Sequence, residues 1–460
     1  MRLAVVGSRI LISRVGQVAA NAAVVVLVAQ KLGPAGQGHY SLTVAVTLLA
    51  ASLLGGGMGL AAVPALRQGR LRPERLMRAQ VAWMTAMLVV LAGAASLAAM
   101  TGGAEAWLGQ HLGWTPGMSR LAALGAFGML GFEIFSYNLL ARGRLVVGST
   151  VNGARAAAHL VLVAALTFTG RLTLGSAVAA FAVAQLGGLV AITIVALRDL
   201  RRPAPAPASP PSTRTASSET PLPAPVREDD VPDDLDRRPL WLLIAFNLRH
   251  GALGQMSAVA YFLLLRLDQG LLEHFRGAAE VGIYSLAVYV GEMLWLLPGA
   301  LTPVLVHTSA ADSSDLRRDR TAARAVRLGV GLTLIAALPL YLLAAPLLAL
   351  VGGGQYAASG ASLRALLPGI VAFAPGVVLA GDFIGRGRPH WNTQASVLTV
   401  ILNVGAALLL IPAHGAVGAA WASSLAYACG SVVMLWRFRR ATGMSLRGLV
   451  LGRHRRQLAS

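Results

Sequence analysis

The sequence predicts an all-α membrane protein with about twelve transmembrane helices, arranged as two similar six-helix lobes around a central cavity. The 460 residues are 56% hydrophobic and only 13% charged, with a mean hydropathy of +0.65, whereas soluble domains are about 25% charged. The apolar residues form a dozen runs long enough to cross a bilayer, and short motifs recur in the same order in the two halves of the chain.

Each apolar run is judged by its length, because crossing ~30 Å of hydrocarbon takes about 20 helical residues. The first lobe, predicted over residues 1–197, contains the runs 10–32, 40–66, 79–100, 120–140, 149–169 and 172–197. The second lobe, predicted over residues 240–440, contains the runs 240–265, 281–306, 325–351, 361–381, 392–411 and 416–436. Twelve spans place both termini on one side of the membrane.

The basic residues are concentrated in every second loop. If the N-terminus is cytoplasmic, the cytoplasmic segments hold most of the 39 Lys and Arg residues. The opposite ends and loops hold only Lys31, Arg120, Arg171, Arg266 and Arg276. This bias predicts cytoplasmic N- and C-termini. The net charge of +20 therefore marks one membrane face and does not indicate a nucleic-acid partner.

Residues 198–239 differ from the rest of the chain. They run from PAPAPASPPSTRTASSETPLPAP into the acidic stretch REDDVPDDLD. Much Pro, Ala and Ser with few large apolar residues predicts a disordered cytoplasmic linker between the lobes, and a plain tether is favoured over a docking or phosphorylation role. Residues 441–460 are predicted to form a basic cytoplasmic tail.

Three motif pairs indicate an internal duplication. The matched segments are 38–42 (GHYSL) with 282–286 (GIYSL), 141–144 (ARGR) with 385–388 (GRGR), and 176–182 (SAVAAFA) with 416–422 (AVGAAWA). Because each half has an even number of spans, the two repeats run parallel. Transporters built from such repeats bind substrate between the halves near the bilayer midplane.

Several longer stretches resemble bacterial oligosaccharide flippases. Residues 32–41, LGPAGQGHYS, are similar to the first loop of those proteins, and residues 281–307 to their eighth helix. Residues 363–392 resemble the tenth helix and residues 401–435 the last two helices. The chain therefore resembles the polysaccharide transporter branch of the multidrug/oligosaccharidyl-lipid/polysaccharide (MOP) exporter superfamily.

The resemblance implies a flippase of the bacterial cytoplasmic membrane, with two lobes that open alternately to the two faces. The cargo would be an oligosaccharide joined through (pyro)phosphate to a polyprenol, for exopolysaccharide, capsule or O-antigen synthesis. Membrane lipids, glycosyltransferases and a polysaccharide polymerase would be the partners. A sugar–phosphate headgroup needs such help, because its polar groups lose water in hydrocarbon without replacement.

Polar residues on membrane helices are the candidate substrate ligands. Arg14, Gln17 and Asn21 share one face of the first helix, while Arg155 and Arg249 lie at similar depths in the fifth and seventh helices. An arginine fork binds phosphate bidentately and keeps its charge. Snorkelling to the headgroups and hydrogen bonding between helices are the alternative explanations.

Three carboxylates lie within predicted spans and are candidate ion-coupling residues. Glu133 is central in helix four and Glu292 in helix eight, whereas Asp382 lies close to Arg386 and Arg388, which favours a local ion pair. A carboxylate inside the membrane could take up and release protons. Structural pairing with the arginines of the membrane helices would explain Glu133 and Glu292 equally.

Prolines and glycines interrupt three of the predicted helices. Pro298 and Pro303 in helix eight, and Pro368 and Pro375 in helix ten, are placed to kink or break those helices. Residues 55–57, three glycines in succession, would loosen helix two. Bendable helices would assist alternating access.

Enzyme classes fit the sequence poorly. Lys31 is the only lysine, so no phosphate-binding Gly-x-x-x-x-Gly-Lys-Ser/Thr loop exists. HExxH and Gly-x-Ser-x-Gly motifs are lacking as well, and no catalytic residue, metal or cofactor is predicted. A cation-coupled drug exporter, a peptidoglycan-precursor flippase, which commonly has extra helices, and a non-transporting scaffold for polysaccharide assembly remain as alternatives.

Overall fold

A computed structural model describes residues 2–201, 232, 234–311, 314–388 and 390–444. Every regular element in these residues is a helix. The elements of the N-terminal half are α1 (Arg2–Gly55), α2 (Ala62–Arg67), α3 (Pro73–Met100), α4 (Gly103–Leu112), α5 (Met118–Ala141), α6 (Leu145–Phe168) and α7 (Leu174–Leu200).

The C-terminal half begins with a 37-residue helix that starts at the residue predicted for the seventh span. Its α-helices are α8 (Leu240–Arg276), α9 (Ala278–Glu292), α10 (Leu296–Gly299), α11 (Thr302–Ala311), α12 (Asp315–Leu342), α13 (Ala344–Gly352), α14 (Ser359–Gly385) and α15 (His390–Thr442). Short 3-10 turns, Met293–Trp295 and Gly354–Tyr356, separate some of them.

Two of the helices are each long enough to cross a membrane twice. α1 is kinked at Gly33 (φ +68°) and α15 at Gly415 (φ +55°), a left-handed backbone conformation that only glycine adopts without strain. Nine helical stretches of the described residues are long and apolar enough to span a bilayer. Dividing α1 and α15 at their kinks, and adding the less apolar α8, gives the predicted twelve spans.

The eighth span is interrupted where the prolines predict it. It comprises α9, a 3-10 turn, α10 and α11, with Pro298 inside α10 and Pro303 in the first turn of α11. By contrast, α14 continues as one helix through Pro368 and Pro375. The second span ends at Gly55, and Gly56 and Gly57 both have positive φ angles.

The chain divides into two compact units. The first contains α1–α7, residues 240–259 of α8 and residues 278–282 of α9; the second contains residues 260–276 of α8 and the described residues from 283 onward. The predicted lobe boundary at residue 240 coincides with the start of α8, whereas the packing of α8 changes from one unit to the other within the helix.

The predicted linker and tail lie largely outside the described residues. The part of the linker that is described packs on the first unit, where Leu235 is fully buried among Leu71, Leu76 and neighbouring apolar side chains. The backbone N–H and Nε of Arg72 donate to Asp236 at 2.9 and 2.8 Å. Burial opposes ionisation of Asp236, yet these bonds hold its pKa below the usual range.

Gly38 and Gly282, which occupy equivalent repeat positions, make a reciprocal backbone contact inside the first unit. A Cβ atom on Gly38 would clash with the carbonyl oxygen of Ala278, and one on Gly282 with that of Pro34. Ala278 and Pro34 are separated by the same number of residues as the two glycines. The α1 and α9 backbones approach this closely because neither glycine has a side chain.

Large apolar side chains cover much of the outer surface. Examples from four helices are Ile12 (70% exposed), Leu97 (63%), Leu338 (60%) and Leu409 (79%). Soluble monomers rarely expose so many large apolar groups. This surface is suited to contact with hydrocarbon, in agreement with the predicted membrane location.

Candidate functional site

A buried polar network lies in the second unit, on α8, α9 and α15. Its centre is Asp268, which is 2% exposed. The hydroxyls of Tyr284 and Ser423 both donate to Asp268 Oδ2, the latter at 2.8 Å, and the backbone N–H of Gln269 donates to Oδ1 at 2.8 Å. Asn403 Nδ2 donates to Ser423 Oγ at 3.1 Å.

The hydrogen-bonding partners of Asp268 are thus two hydroxyls and one backbone N–H, none of which carries a formal charge. The described residues gather no group of three or more His, Cys, Asp or Glu side chains. The carboxylate therefore has uncharged hydrogen-bonding partners, while the guanidinium of Arg266 lies near enough to interact with it electrostatically. Such a set of groups can accept a proton or coordinate a small hard cation through its oxygen atoms.

Sequence reasoning missed Asp268 because the seventh span was predicted to end at residue 265. In the structure α8 continues to Arg276, so Asp268 lies in the helix and not in a loop. The repeat offered a way to find it. Tyr284 belongs to the duplicated GIYSL motif, and Asp268 stands sixteen residues before it. The residue sixteen before Tyr40, the matching tyrosine of the first half, is Val24, so the carboxylate has no counterpart there.

Glu292 is held by an arginine close to this network. Arg266 Nη1 donates to Glu292 Oε1 and Nη2 to Oε2, both at 2.9 Å, and the guanidinium lies 5.4 Å from the Tyr289 ring. Both side chains of the pair are about 15% exposed. The sequence predicted that Arg266 lies just beyond the end of the seventh span, but α8 continues past it to Arg276. The ion-coupling role of Glu292 stays a prediction.

Asp382 forms the local ion pair that its position predicts. It is fully buried, and it accepts from Arg386 Nε and from Ser309 Oγ, both at 2.6 Å. Arg386 also donates to Asp319 at 2.8 Å. Arg388, the other arginine considered, stacks on an aromatic ring instead. A coupling role for Asp382 is untested.

Glu133 is half-buried on α5 in the first unit. Its described contact is with the Tyr137 hydroxyl, one turn further along the helix, at 3.5 Å from Oε1. This is a long hydrogen bond. The ion-coupling role of Glu133 stays a prediction.

The predicted cationic residues lie on three different helices of the first unit. Arg14 on α1 and Arg155 on α6 are half-buried, and Arg249 on α8 is exposed. On the predicted polar face of α1, Gln17 is half-buried and Asn21 exposed. The role of these residues as substrate ligands stays a prediction.

Arg155 is the best-defined member of the set. Its Nη1 donates to Gln185 Oε1, its Nη2 donates to Asn152 Oδ1 at 2.6 Å, and its guanidinium lies 4.7 Å from the centre of the Phe132 ring. Amides and an aromatic face orient the guanidinium without neutralising its charge. Sequence reasoning identified Arg155 but not these neighbours, because they come from three helices.

Comparison with known proteins places the fold. A family model described as Lipid II flippase MurJ matches residues 288–455, which is less than half of the chain. No curated protein sequence matches the chain.

Solved structures match over almost the whole length. The lipid II flippase MurJ in an inward closed conformation superposes with a TM-score of 0.73 at 12% identity, covering 96% of this chain and 91% of that one. An inward-facing multidrug resistance MATE transporter of the MOP superfamily gives 0.68 at 16% identity, covering 93% and 94%. A MOP superfamily transporter from Pyrococcus furiosus gives 0.61 at 14% identity, covering 96% and 95%. The chain is thus an all-helical, multi-pass membrane protein with the fold of the MOP superfamily transporters.

Proposed function

We propose that this protein flips a polyprenyl-(pyro)phosphate-linked oligosaccharide across the bacterial cytoplasmic membrane by alternating access, with both termini cytoplasmic. Exopolysaccharide, capsule or O-antigen synthesis would use the product, with glycosyltransferases supplying the cargo and a polymerase consuming it. The observation that carries the proposal is the presence of Arg14, Arg155 and Arg249 on membrane helices of a MOP-type fold.

The arginines suit a lipid-linked pyrophosphate in charge and geometry. Placing a charged side chain in a membrane helix costs at least ~2.5 kcal/mol, so three of them need a compensating role. The guanidinium keeps its proton at any physiological pH and binds phosphate oxygens in pairs. The amide oxygens of Gln185 and Asn152 hold the Arg155 guanidinium in a fixed orientation, which suits binding of a phosphate group.

The second unit supplies a candidate for energy coupling. Arg266 neutralises Glu292 and Arg386 neutralises Asp382, whereas Asp268 has uncharged hydrogen-bonding partners. We therefore assign cation or proton coupling first to Asp268, with Glu133 as a further candidate. Binding of a positive ion at Asp268 would replace donated hydrogen bonds from Tyr284 and Ser423 and so change the packing of α8, α9 and α15.

Flipping of lipid II, a peptidoglycan precursor, is the second candidate. The matching family model over residues 288–455 and the MurJ superposition favour it. The chemistry is shared, since both cargoes join a sugar headgroup to a polyprenol through pyrophosphate. The two cargoes are therefore distinguished by comparing the rates at which the protein flips each of them.

The test is flipping by the purified chain in proteoliposomes loaded with fluorescent cargo. Lipid-linked oligosaccharide, lipid II and a cationic dye are compared side by side, and exposure of the sugar or dye is followed with an external quencher. Substitution Arg155→Gln should slow flipping about 10- to 100-fold, in line with the loss of a charge-assisted contact. The charge-matched variant Arg171→Gln, an exposed residue that the proposal does not use, should leave the rate unchanged.

A coupling arm uses the same vesicles. The Asp268→Asn variant should lose the dependence of flipping on an imposed Na⁺ or pH gradient, while Glu74→Gln, at an exposed carboxylate, should retain it. Faster transport of the dye than of either lipid-linked cargo would contradict the flippase function. Equal rates for Arg155→Gln and the unsubstituted chain would remove the phosphate role, and an unchanged gradient response in Asp268→Asn would remove the coupling role.

A further inference from the structure

The two Arg-Gly-Arg loops of the duplicated motif differ in how their charges are neutralised. In the first unit Asp199 pairs with Arg142 at 3.0 Å and with Arg144 at 3.3 Å. In the second unit Arg386 is paired with carboxylates, but Arg388 is exposed. The second arginine of the C-terminal loop therefore lacks the arrangement that its repeat counterpart has.

The sequence explains this difference. Counted from the matched starts at residues 176 and 416, the position of Asp199 in the first half is taken by Arg439 in the second. The carboxylate that pairs with both arginines of the first loop is replaced there by another cation. The cluster of two arginines and one carboxylate in the first half thus corresponds to a more strongly positive cluster in the second.

Aromatic rings hold this positive cluster in place. The guanidinium carbons of Arg388 and Arg437 lie 4.7 and 6.0 Å from the centre of the Trp391 ring, and Arg437 also donates to the Trp391 carbonyl at 3.0 Å. Arg440 lies 4.1 Å over the ring of Trp436. Stacking on a ring fixes a guanidinium without cancelling its charge. Within the described residues no carboxylate forms an ion pair with Arg388, Arg437 or Arg440.

The cluster lies beside an apolar outer surface. Val397 and Val432, within two turns of it on α15, are 43% and 64% exposed, and Trp436 is 47% exposed. Tryptophan concentrates at the level of the lipid headgroups, where its ring contacts both hydrocarbon and polar groups. The arginines therefore lie at the border between an apolar surface and a charged one. A phospholipid has the same arrangement of apolar chains and a charged headgroup, whereas a free anion in water would need no apolar surface beside it.

We propose that Arg388, Arg437 and Arg440, held on Trp391 and Trp436, bind the phosphate headgroup of an anionic phospholipid. The forked guanidinium groups match phosphate oxygens in geometry and remain charged at all relevant pH values. The acyl chains would lie along the exposed apolar face of α15. None of these residues belongs to the set of arginines assigned above to the cargo.

The test measures lipid binding by the full-length protein in nanodiscs of phosphatidylcholine, titrated with brominated phosphatidylglycerol. Bromine near Trp391 and Trp436 quenches their fluorescence, and brominated phosphatidylcholine serves as the zwitterionic reference. The double variant Arg388→Gln/Arg437→Gln should bind phosphatidylglycerol about 25-fold more weakly, since each basic residue near an anionic surface contributes about fivefold. The charge-matched double variant Arg120→Gln/Arg171→Gln, at exposed positions elsewhere, should bind as the unsubstituted chain does.

A second double variant keeps the test informative if the glutamine variant does not fold. Arg388→Lys/Arg437→Lys keeps both charges but loses the fork and much of the stacking, so an intermediate affinity is expected. Equal quenching by the two brominated lipids would overturn the proposal. So would a polyprenyl pyrophosphate that displaces phosphatidylglycerol at equimolar concentration, since the site would then belong to the cargo; displacement by inorganic pyrophosphate alone would assign it to a soluble anion.

Discussion

Two tyrosines at equivalent repeat positions have different partners. Tyr40 in the first unit lies 3.2 Å from Nε2 of His159, and both side chains are buried. Tyr284 in the second unit donates to the carboxylate of Asp268. The duplicated motif has kept the tyrosine and its burial, while its partner has changed from an imidazole to an acid.

The difference extends along the preceding helix. Asp268 lies sixteen residues before Tyr284, and the residue sixteen before Tyr40 is Val24, which is 2% exposed in an apolar cluster. Arg266 corresponds in the same way to Ala22. One half uses these positions for packing and the other for charge. The two units therefore differ in where charged side chains are buried, with Arg266 and Asp268 of the second unit standing where the first has Ala22 and Val24.

The largest effect is expected from breaking the Arg266–Glu292 ion pair of the second unit, whose arginine stands where the first half has Ala22. Arg266→Gln should lower the free energy of unfolding by about 3 kcal/mol, because it leaves the Glu292 carboxylate buried without its partner. Unfolding in mixed detergent micelles measures the change. The double variant Arg266→Gln/Glu292→Gln should recover most of the loss, because two neutral amides can hydrogen-bond to each other. A double variant as unstable as the single one would show that the charge of Glu292 is not the reason.

The second largest effect is expected at the close backbone contact made by Gly38 and Gly282, which stand at equivalent positions in the two halves. Gly38→Ala and Gly282→Ala should each destabilise the protein by about 2–3 kcal/mol, since the new methyl group meets a backbone carbonyl that cannot rotate away. Gly93→Ala, where a methyl group would meet no atom within 4 Å, is the control and should be neutral or slightly stabilising. Clearly unequal effects at Gly38 and Gly282 would mean that the contact is not reciprocal.

The smallest effect sharpens the comparison of the tyrosines. Tyr284→Phe should lower the free energy of unfolding by about 1.5–3 kcal/mol, because the Asp268 carboxylate, a charged group, loses one of its hydrogen bonds. Tyr40→Phe should cost only about 0.6 kcal/mol, a typical value for a neutral hydrogen bond between membrane helices. The difference between the two unfolding free energies, measured in the same micelles, is the informative quantity. Equal losses would mean that the acid makes no special contribution.

Much of the fold followed from the sequence because hydrocarbon imposes a simple requirement on length and polarity. The twelve spans, the break near Pro298 and the pairing of Asp382 with Arg386 were all predictable from residues close together in the chain. The end of the seventh span was not. Its polar residues, Arg266 and Asp268, resemble a loop in a local hydropathy pattern, but α8 keeps them inside the protein, where Glu292, Tyr284 and Ser423 satisfy them.

The sequence by itself determined that this is an all-helical, multi-pass membrane protein, because hydropathy and helix breakers are properties of neighbouring residues. The tertiary structure decided which charges are neutralised. Asp199 joins two arginines of the loop between α5 and α6, while Arg388 and Arg437 meet at Trp391. Such pairings depend on which helix faces which, and interaction energy falls with distance in space and not along the chain.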